Sequence, residues 1–358
     1  MFIKTKFLKL NSYIFFLTLI LFIILMDITK LEARIFKIEN VEVSEPFNSN
    51  FNKDISINKA FISAFEELTS TLITSKDKVK LASIDLDEIK LLVESFEITD
   101  ESFLNKNYIA KFNVNFNKKN TLSFFEKKNI FPSLKNRKDF LTILILINND
   151  NNEISIYENN PFHKYWNEDK KKFFLLNYVL TEEDIDTLKA INDNKENIEK
   201  FKFENIIKKY DLKDYIIGIF FKNDNKIRFF ARFYFNDKLK ILNTNYDNIT
   251  SLDEGLVKNI ISKIKIKFED TWKKNNQINT SIKLPINLQI SSKKNKEFLN
   301  LENKMDEIDL ISNYYITSLN NELINLKIIF NGSPKQFLNL MNINGIKIDT
   351  DSEIWKVK

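Results

Sequence analysis

The sequence contains a single histidine, His163, within the aromatic stretch NPFHKYW at residues 160–166. An imidazole can act as a general base at neutral pH, but it needs a partner that orients the ring or shares its proton. A zinc site would need further histidine or cysteine ligands, and the chain has no cysteine. We therefore expect His163 to lie in a loop without a catalytic role, in which Pro161 fixes the turn and Phe162 and Trp166 pack against the core.

A Ser-x-x-Lys spacing could place a lysine base beside a nucleophilic serine, as at Ser75/Lys78 and at Ser291/Lys294. In enzymes of the penicillin-binding type this spacing is accompanied by Ser-Asp-Asn and Lys-Thr-Gly motifs. Neither motif follows here, and a chain with 54 lysines and arginines contains such spacings by chance. We interpret both pairs as loop or helix-edge residues.

Three groups of acidic residues are candidates for calcium binding or for glycoside hydrolysis by two carboxylates. They are Asp85/Asp87/Glu88, Glu182/Glu183/Asp184 and Asp349/Asp351/Glu353. None lies in a recognisable sugar-binding frame, and the calcium-like segments at 148–153 and 349–353 lack the glycine of the sharp turn. Because Asp and Asn are common in turns and at helix N-termini, we expect structural roles for most of them.

Cofactor and nucleic-acid binding have little support in the composition. A phosphate-binding loop needs two or three glycines within about six residues. The glycines of this chain are far apart, at Gly218, Gly255, Gly332 and Gly345. The formal net charge is +5, which is too weak to indicate a nucleic-acid surface. The sequence therefore predicts no cofactor, no metal and no nucleic-acid partner.

The N-terminus has the pattern of a secretory signal peptide. Three lysines precede the apolar run at residues 13–26, and Ala33 follows as the candidate last residue before cleavage. The run is shorter than the roughly 20 residues of a membrane span. However, Leu31 is not the small residue preferred two positions before the cleavage point, so an uncleaved anchor to the inner membrane stays an alternative. Both interpretations predict export to the periplasm, and the first predicts removal of residues 1–33.

A chain of 358 residues is long enough for two or three domains. After the signal segment we predict three small domains of α+β and α/β type. They are an N-terminal α+β domain at 34–131, a Rossmann-like three-layer α/β domain at 138–276, and a C-terminal ferredoxin-like α+β domain at 279–358.

The N-terminal domain is predicted from two periodicities. Residues 108–116 alternate apolar and polar side chains, as in a strand with one buried face. Apolar residues at spacings of three and four between 57 and 72 indicate an amphipathic helix. The predicted order is strand, two helices, two strands and helix, at 35–43, 57–72, 76–90, 91–99, 108–116 and 118–129.

The middle domain is predicted from strands that are apolar on both faces, as in a sheet covered by helices on each side. The predicted strands are 139–148, 173–180, 214–221 and 226–235, and the last two form a hairpin. We expect a helix that Thr181 caps, a second at about 195–210 and a third at 251–274. NPFHKYW is predicted to be a loop between the first two strands.

The C-terminal domain is predicted to have the order β-α-β-β-α-β. Its strands are expected at 280–290, 308–317 and 322–330, followed by a last short strand, with helices near 294–305 and from Pro334. Ser333 is the predicted N-cap of the second helix, and Gly345 lets the chain turn back into the last strand.

Several stretches follow one another in a characteristic order along nearly the whole mature chain. They include VESFEITDESFLNKNYIAKFNVNFN at 93–117, NPFHKYW at 160–166 and FNGSPKQFLNLMNINGIKI at 330–348. In this order the chain resembles the DUF2066 family, bacterial exported proteins whose molecular function is not established. The family positions that this sequence matches are Pro161, Trp166, Gly332, Ser333 and Trp355. The resemblance implies no catalytic residue.

We expect a non-enzymatic exported protein of the periplasmic envelope that acts as a protein-interaction or adaptor module. Its partner would be an unknown envelope protein or component, with membrane contact only through residues 13–26 if these are not cleaved. One alternative is a glycan hydrolase that uses acids alone. Another is a small-ligand or peptide binder at the carboxyl-terminal edge of the middle sheet, with Phe162, Tyr165 or Trp166 in its pocket.

Overall fold

The structure is a computed structural model that describes residues 35–168 and 171–358. These residues form a mixed α+β fold with three β-sheets, which confirms the predicted fold class. The predicted signal segment, with residues 13–26 and Ala33, lies outside the described residues. Within the two described ranges, no helix is long and apolar enough to span a bilayer.

The chain forms two compact units. One contains the described residues up to Leu68 together with Lys80–Pro132 and Ile278–Lys358. The other contains Thr69–Val79 and Ser133–Gln277, so it includes the whole predicted middle domain. Apart from Thr69–Val79, the described residues of the first and third predicted domains fall in one unit, and their separation into two domains stays a prediction.

The first part of the chain forms a sheet of three antiparallel strands. Its elements are β1 (Ile35–Pro46), α1 (Lys53–Leu72), α2 (Ser75–Lys78), α3 (Leu86–Lys90), β2 (Val93–Leu104), β3 (Asn107–Asn117) and α4 (Lys118–Lys127). The strand order is β1-β3-β2. Side chains of β3 alternate between buried and half-buried, as the sequence predicts. The rings of Phe65 in α1 and Phe116 in β3 lie 6.2 Å apart, so the helix packs on the buried face.

The prediction of one helix at 76–90 is wrong, because the structure has two short helices there, α2 and α3. The side chain of Asp85 accepts a hydrogen bond from the backbone N–H of Glu88 at 2.8 Å. Asp85 is therefore the N-cap of a new helix rather than a residue inside a longer one.

The second unit contains the sheet predicted for the middle domain. Its elements are β4 (Lys138–Asn148), β5 (Glu153–Ser155), α5 (Pro161–Tyr165), β6 (Leu176–Leu180), α6 (Ile185–Asp193), α7 (Glu204–Ile207), β7 (Tyr215–Asn223), β8 (Lys226–Phe235), β9 (Lys238–Tyr246) and α8 (Glu254–Asn275). The order is β5-β4-β7-β8-β9, and β6 also pairs with β4. Strands β6, β4 and β7 are parallel, whereas β5, β8 and β9 pair with their neighbours antiparallel.

Helices cover both faces of this sheet, as the apolar faces of β4 and β7 predict. On one face, Phe162 and Trp166 join Trp272 of α8 in a buried apolar core. On the other face, Ile191 of α6 and Ile206 of α7 belong to a second buried core. The prediction that Phe162 and Trp166 pack against the core is confirmed.

The stretch NPFHKYW is not the predicted loop, because its central residues form helix α5. Asn160 is the N-cap of this helix, and Pro161 occupies the first turn, where its missing N–H costs nothing. A helix of five residues is too short to show a recognisable helical periodicity in the sequence.

Strand β6 and the helix after it also differ from the prediction. β6 begins at Leu176 rather than at 173, and Asn177 is exposed because the strand lies at the edge of the sheet. The N-cap of α6 is Asp184 and not Thr181, because the Asp184 carboxylate accepts a hydrogen bond from the N–H of Thr187 at 3.2 Å.

The helix predicted at 195–210 is reduced to one 3-10 turn and the short helix α7. Its buried residues Ile198, Phe203 and Ile206 are five and three positions apart, which one continuous helical face does not produce. The prediction also lacks β9, which follows β8 through Asn236 and Asp237 with φ of 48° and 57°. Two residues with positive φ form the tight turn of a β-hairpin.

The last part of the chain has the predicted β-α-β-β-α order followed by two short strands. Its elements are β10 (Leu284–Ser291), α9 (Asn295–Glu307), β11 (Ile311–Leu319), β12 (Leu323–Phe330), α10 (Pro334–Ile343), β13 (Ile348–Asp349) and β14 (Trp355–Val357). The sheet order is β11-β12-β10-β14-β13. The prediction of a single last strand is therefore incomplete, because two strands, β13 and β14, follow α10. β14 pairs with β13 antiparallel and with β10 in parallel.

The start of α10 has the predicted local chemistry. The Ser333 side chain accepts from the N–H of Gln336, and the Gln336 side chain accepts from the N–H of Ser333, which is a capping box. After the helix, Gly345 has φ of +76°, a conformation that favours glycine. Both predicted roles are confirmed.

Replacing Trp166 with Ala should lower the free energy of unfolding by about 3–5 kcal/mol, because the side chain is fully buried and leaves a cavity. Replacing the neighbouring Tyr165 with Ala is the matched control, since that ring is only partly buried. Chemical denaturation of both variants measures the difference. Equal losses at the two positions would show that Trp166 does not anchor this core.

Candidate functional site

The two parallel strands β4 and β6 send their following connections to opposite faces of the sheet. The connection after β4 leads through Phe162 and Trp166, which pack on the face covered by α8. The connection after β6 leads into α6, whose Ile191 packs on the other face. Such a reversal opens a crevice at the carboxyl ends of the strands, where open α/β sheets bind ligands.

A cleft of about 760 Å³ lies at this switch point. One wall consists of residues of the segment 153–159, which follows β4, and the other consists of residues of the segment 183–192, which follows β6. Part of the predicted acidic group Glu182/Glu183/Asp184 is therefore in the cleft. The aromatic residues expected there are not among the lining residues, and Phe162 and Trp166 are fully buried in the core instead.

Asn160 separates the two strands that form the cleft. β6 pairs with residues 138–142 of β4 and β5 pairs with residues 146–148, which leaves a gap along the same edge. The buried Asn160 side chain fills this gap, donating from Nδ2 to the carbonyl of Leu144 at 3.2 Å. Its Oδ1 accepts from the N–H of Phe162 at 3.0 Å, so one side chain joins β4 to α5.

Tyr157 forms a buried part of the cleft lining, where it is 8% exposed. Its φ of +57° is a left-handed conformation, which is costly for a bulky residue. The ring meets the His163 imidazole edge to face, with ring centroids 5.9 Å apart. Packing therefore holds the chain in this strained conformation between β5 and α5.

Asp184 has a structural role at the cleft. It accepts hydrogen bonds at the N-terminus of α6 and forms an ion pair with Lys209. The hydrogen bond from Lys209, and then that from Thr187, lowers the pKa of the Asp184 carboxyl to about 2. The group stays ionised at physiological pH and is not suited to donate a proton.

Helix α6 presents an exposed apolar stripe to the cleft. The stripe is Ile185 and Leu188, which are three positions apart and share one helix face, and the polar Asn192 continues this face four positions later. Ile185 is 83% exposed, whereas Thr187 and Ile191 on another face are buried. The stripe is thus available to a ligand.

Two exposed carboxylates, those of Glu153 and Glu183, lie at the rim of the cleft. Neither forms an ion pair within the part of the chain that the structure describes. The cleft therefore combines an apolar wall with negative charge at its rim.

His163 lies behind the cleft and is not part of its lining. Its Nε2 is 3.3 Å from the carbonyl oxygen of Thr181. Burial lowers the pKa of the imidazole, although the Thr181 carbonyl and the charges of Glu183 and Glu158 act in the opposite direction. Among the described residues no three His, Asp or Glu side chains form a group that could hold a metal ion.

The residues behind the predicted resemblance to the DUF2066 family lie at helix starts and in apolar cores. Pro161 starts α5 and Trp166 is buried in the core of the same unit. Gly332 and Ser333 precede α10, and a Cβ at Gly332 would come within 2.7 Å of the Phe330 ring. Trp355 of β14 packs against the last apolar core. Pro161 and Trp166 belong to one unit, and Gly332, Ser333 and Trp355 belong to the other.

The Ser-x-x-Lys spacing at Ser75 and Lys78 does not form a serine–lysine pair. Ser75 Oγ donates to Asp270 Oδ2 at 2.5 Å, and Lys78 Nζ donates to Ser70 Oγ at 2.7 Å. Ser291 instead accepts from the N–H of Lys293 at 3.4 Å. These contacts are structural.

The remaining acidic groups lie at a helix cap and a turn. Asp85 caps α3, as described above. The pKa of Asp349 is lowered, first by a hydrogen bond from the Asp351 N–H and then by one from Lys358. Their contacts agree with the structural roles expected for them.

Sequence reasoning missed a row of buried charges on α8. Lys265, Glu269 and Lys273 are four positions apart and at most 4% exposed. The Glu269 carboxylate accepts from the N–H groups of Leu175 and Leu176 at 3.0 and 2.8 Å, and burial raises its pKa. Burial lowers the pKa of Lys273, whose Nζ donates to Ser70 O at 2.5 Å. The only signal was a charge every fourth residue on an otherwise apolar helix face.

No protein-family model matches the chain, and no curated protein matches it in sequence. The resemblance to the DUF2066 family therefore stays a prediction.

Replacing His163 with Gln should remove one contribution to the pH dependence of stability. Because the folded-state pKa is below the ordinary value of 6.5, the folded chain binds fewer protons than the unfolded chain under mildly acidic conditions. The native protein therefore loses stability as the pH falls below about 6.5, and the variant should lose less.

Denaturation midpoints between neutral and acidic pH measure this effect. Lys164→Gln is the matched control, since Lys164 is the adjacent, exposed residue of α5. The same slope in native protein and His163→Gln would contradict the assignment.

Proposed function

We propose that the protein is a non-enzymatic exported protein of the cell envelope, of the DUF2066 type, that acts as a protein-interaction or adaptor module. In this proposal the cleft between residues 153–159 and 183–192 binds the partner, which is another envelope protein or component. The chain reaches the periplasm through its N-terminal signal segment. It contacts the membrane only through residues 13–26, if these are not removed.

The observation that carries the proposal is the position of the cleft at the switch point between β4 and β6. Open α/β sheets bind their ligands at this place because loops diverge there and leave backbone and side chains accessible. The position supports the expectation of a binding site at the carboxyl-terminal edge of the middle sheet. The lining differs from the expected one, since the aromatic residues of NPFHKYW belong to the core.

The shape of the cleft and the exposed apolar surface beside it favour a macromolecular partner over a small molecule. Small-molecule sites enclose most of the ligand surface within a concave pocket. Here the wall continues into exposed apolar surface at Ile185 and Leu188, which are 83% and 37% exposed. Exposed apolar groups beside a cleft are typical of surfaces that a protein covers.

The acid-only hydrolase has weaker support. Glycoside hydrolysis needs a carboxyl group whose raised pKa keeps it protonated as the general acid. The pKa of Asp184 in the cleft is lowered to about 2, because Lys209 and Thr187 hydrogen-bond to the carboxylate. Glu269 has a raised pKa, but its carboxylate is buried and accepts from two backbone N–H groups.

A photo-reactive amino acid at Asn192 tests the proposed function in the native cell, because Asn192 lines the cleft. We expect illumination to give one discrete cross-linked product, in which mass spectrometry identifies an envelope component joined to residue 192. Asp193 is the matched control, since it is exposed on the same helix and is not a lining residue. It should give none of that product.

Two results would contradict the proposal. One is the absence of a specific product at Asn192, or the same product at both positions. The other is turnover of an envelope glycan by the purified chain.

A further inference from the structure

We infer that the partner enters the cleft as an extended polypeptide segment, which adds to the free edge of β5 and carries basic side chains opposite Glu153 and Glu183. This inference rests on the proposed function and deepens it, because it specifies the form and the charge of the bound segment. It follows from a strand edge, an apolar stripe and an unbalanced charge that meet at one cleft.

The first observation is the free edge of β5. This strand pairs with β4 along one side, and it ends the sheet, so no described strand pairs with its other side. The edge of a strand presents N–H and C=O groups that can hydrogen-bond to another extended chain. Ile154 and Ser155 of β5 also line the cleft, so a segment bound there would lie along this edge.

The second observation is the apolar stripe on α6. Ile185 and Leu188 line the cleft together with β5 and remain exposed to solvent. In an extended segment, alternate side chains point in opposite directions. One set can therefore contact the stripe while the backbone pairs with β5. An apolar side chain in this set would remove the surface of Ile185 and Leu188 from water.

The third observation is charge. Glu153 and Glu183 are exposed at the rim, and no ion pair within the described residues neutralises them. Asp184 differs, because Lys209 already pairs with it. The cleft is thus negative although the whole chain has a formal net charge of +5. Basic side chains complement this charge, and acidic ones would be repelled.

The opposite edge of the sheet favours the same conclusion. β9 ends the sheet there, and it carries the exposed residues Lys238 and Lys240. Lysines on an edge strand discourage the addition of another strand, and they repel a basic segment in particular. A basic extended segment should therefore distinguish β5 from β9.

The test uses the full chain purified in mild detergent and three kinds of fluorescent hexapeptide as probes. The first is KVKVKV, the second is EVEVEV, and the third is KVKVKV in two forms with methyl groups on alternate backbone nitrogens. Fluorescence anisotropy measures their affinities. We expect KVKVKV to bind, EVEVEV to bind at least tenfold more weakly, and at least one methylated form to lose binding because it cannot donate to the strand edge.

Charge variants place the binding in the cleft. Glu153→Gln combined with Glu183→Gln should weaken KVKVKV binding by about 2- to 30-fold, the range for two exposed ion pairs. Asp193→Asn combined with Glu196→Gln is the matched control, because both residues are exposed and neither lines the cleft. The control removes the same charge and should change the affinity by less than about twofold, since salt screens distant charges.

Equal binding of KVKVKV and EVEVEV would overturn the inferred charge. Unchanged binding of both methylated forms would overturn strand addition. Equal effects of the two charge variants would overturn the location of the site. Self-association of the chain through the cleft would overturn the inferred occupant. If the peptides fail while Asn192 still cross-links one envelope component, the inference is wrong and the proposed function stands. If Asn192 cross-links nothing, the proposed function itself fails.

Discussion

The second unit depends on one constraint, which is that two short strands share a single edge of β4. The buried Asn160 side chain makes this arrangement possible, because it hydrogen-bonds to the Leu144 carbonyl that neither β5 nor β6 reaches. A buried carbonyl without a partner would cost free energy comparable to a lost hydrogen bond. The same side chain caps α5. The chain therefore turns away from β5 and leads to Leu176, where β6 begins. The cleft lies between the segment 153–159, which contains β5, and the segment 183–192, which follows β6.

Buried charged side chains of α8 hold the start of β6 and the end of α5. Glu269 accepts from the N–H groups of Leu175 and Leu176, which are the residues at which β6 begins. Lys265 donates to the carbonyl of Trp166, where α5 ends. Removing a partner from such a contact leaves a buried charge without compensation, which is strongly destabilising. The start of β6 and the end of α5 are thus held by one helix.

The sequence predicts elements whose signal is local. Residues 139–148 are apolar on both faces and form a central strand, and Ser333 caps a helix because the residues of a capping box are adjacent. The cleft has no local signal. Asn160 matters only because β5 and β6 leave a gap beside Leu144, and β5 is three residues long. The exposed Ile185 could have suggested a surface site, but its distance from β5 depends on the course of the chain between them.

Amide hydrogen exchange on the full chain is a direct test of strand addition at β5. The exchange rates of Ile154 and Ser155 in β5 would be compared with those of Leu239 and Ile241 in β9, without peptide and with saturating KVKVKV. Strand addition predicts slower exchange of at least one of the two β5 amides and no change in β9, because a new backbone hydrogen bond protects only the paired edge. Unchanged exchange in β5, or protection in β9 instead, would contradict binding of an extended segment at this cleft.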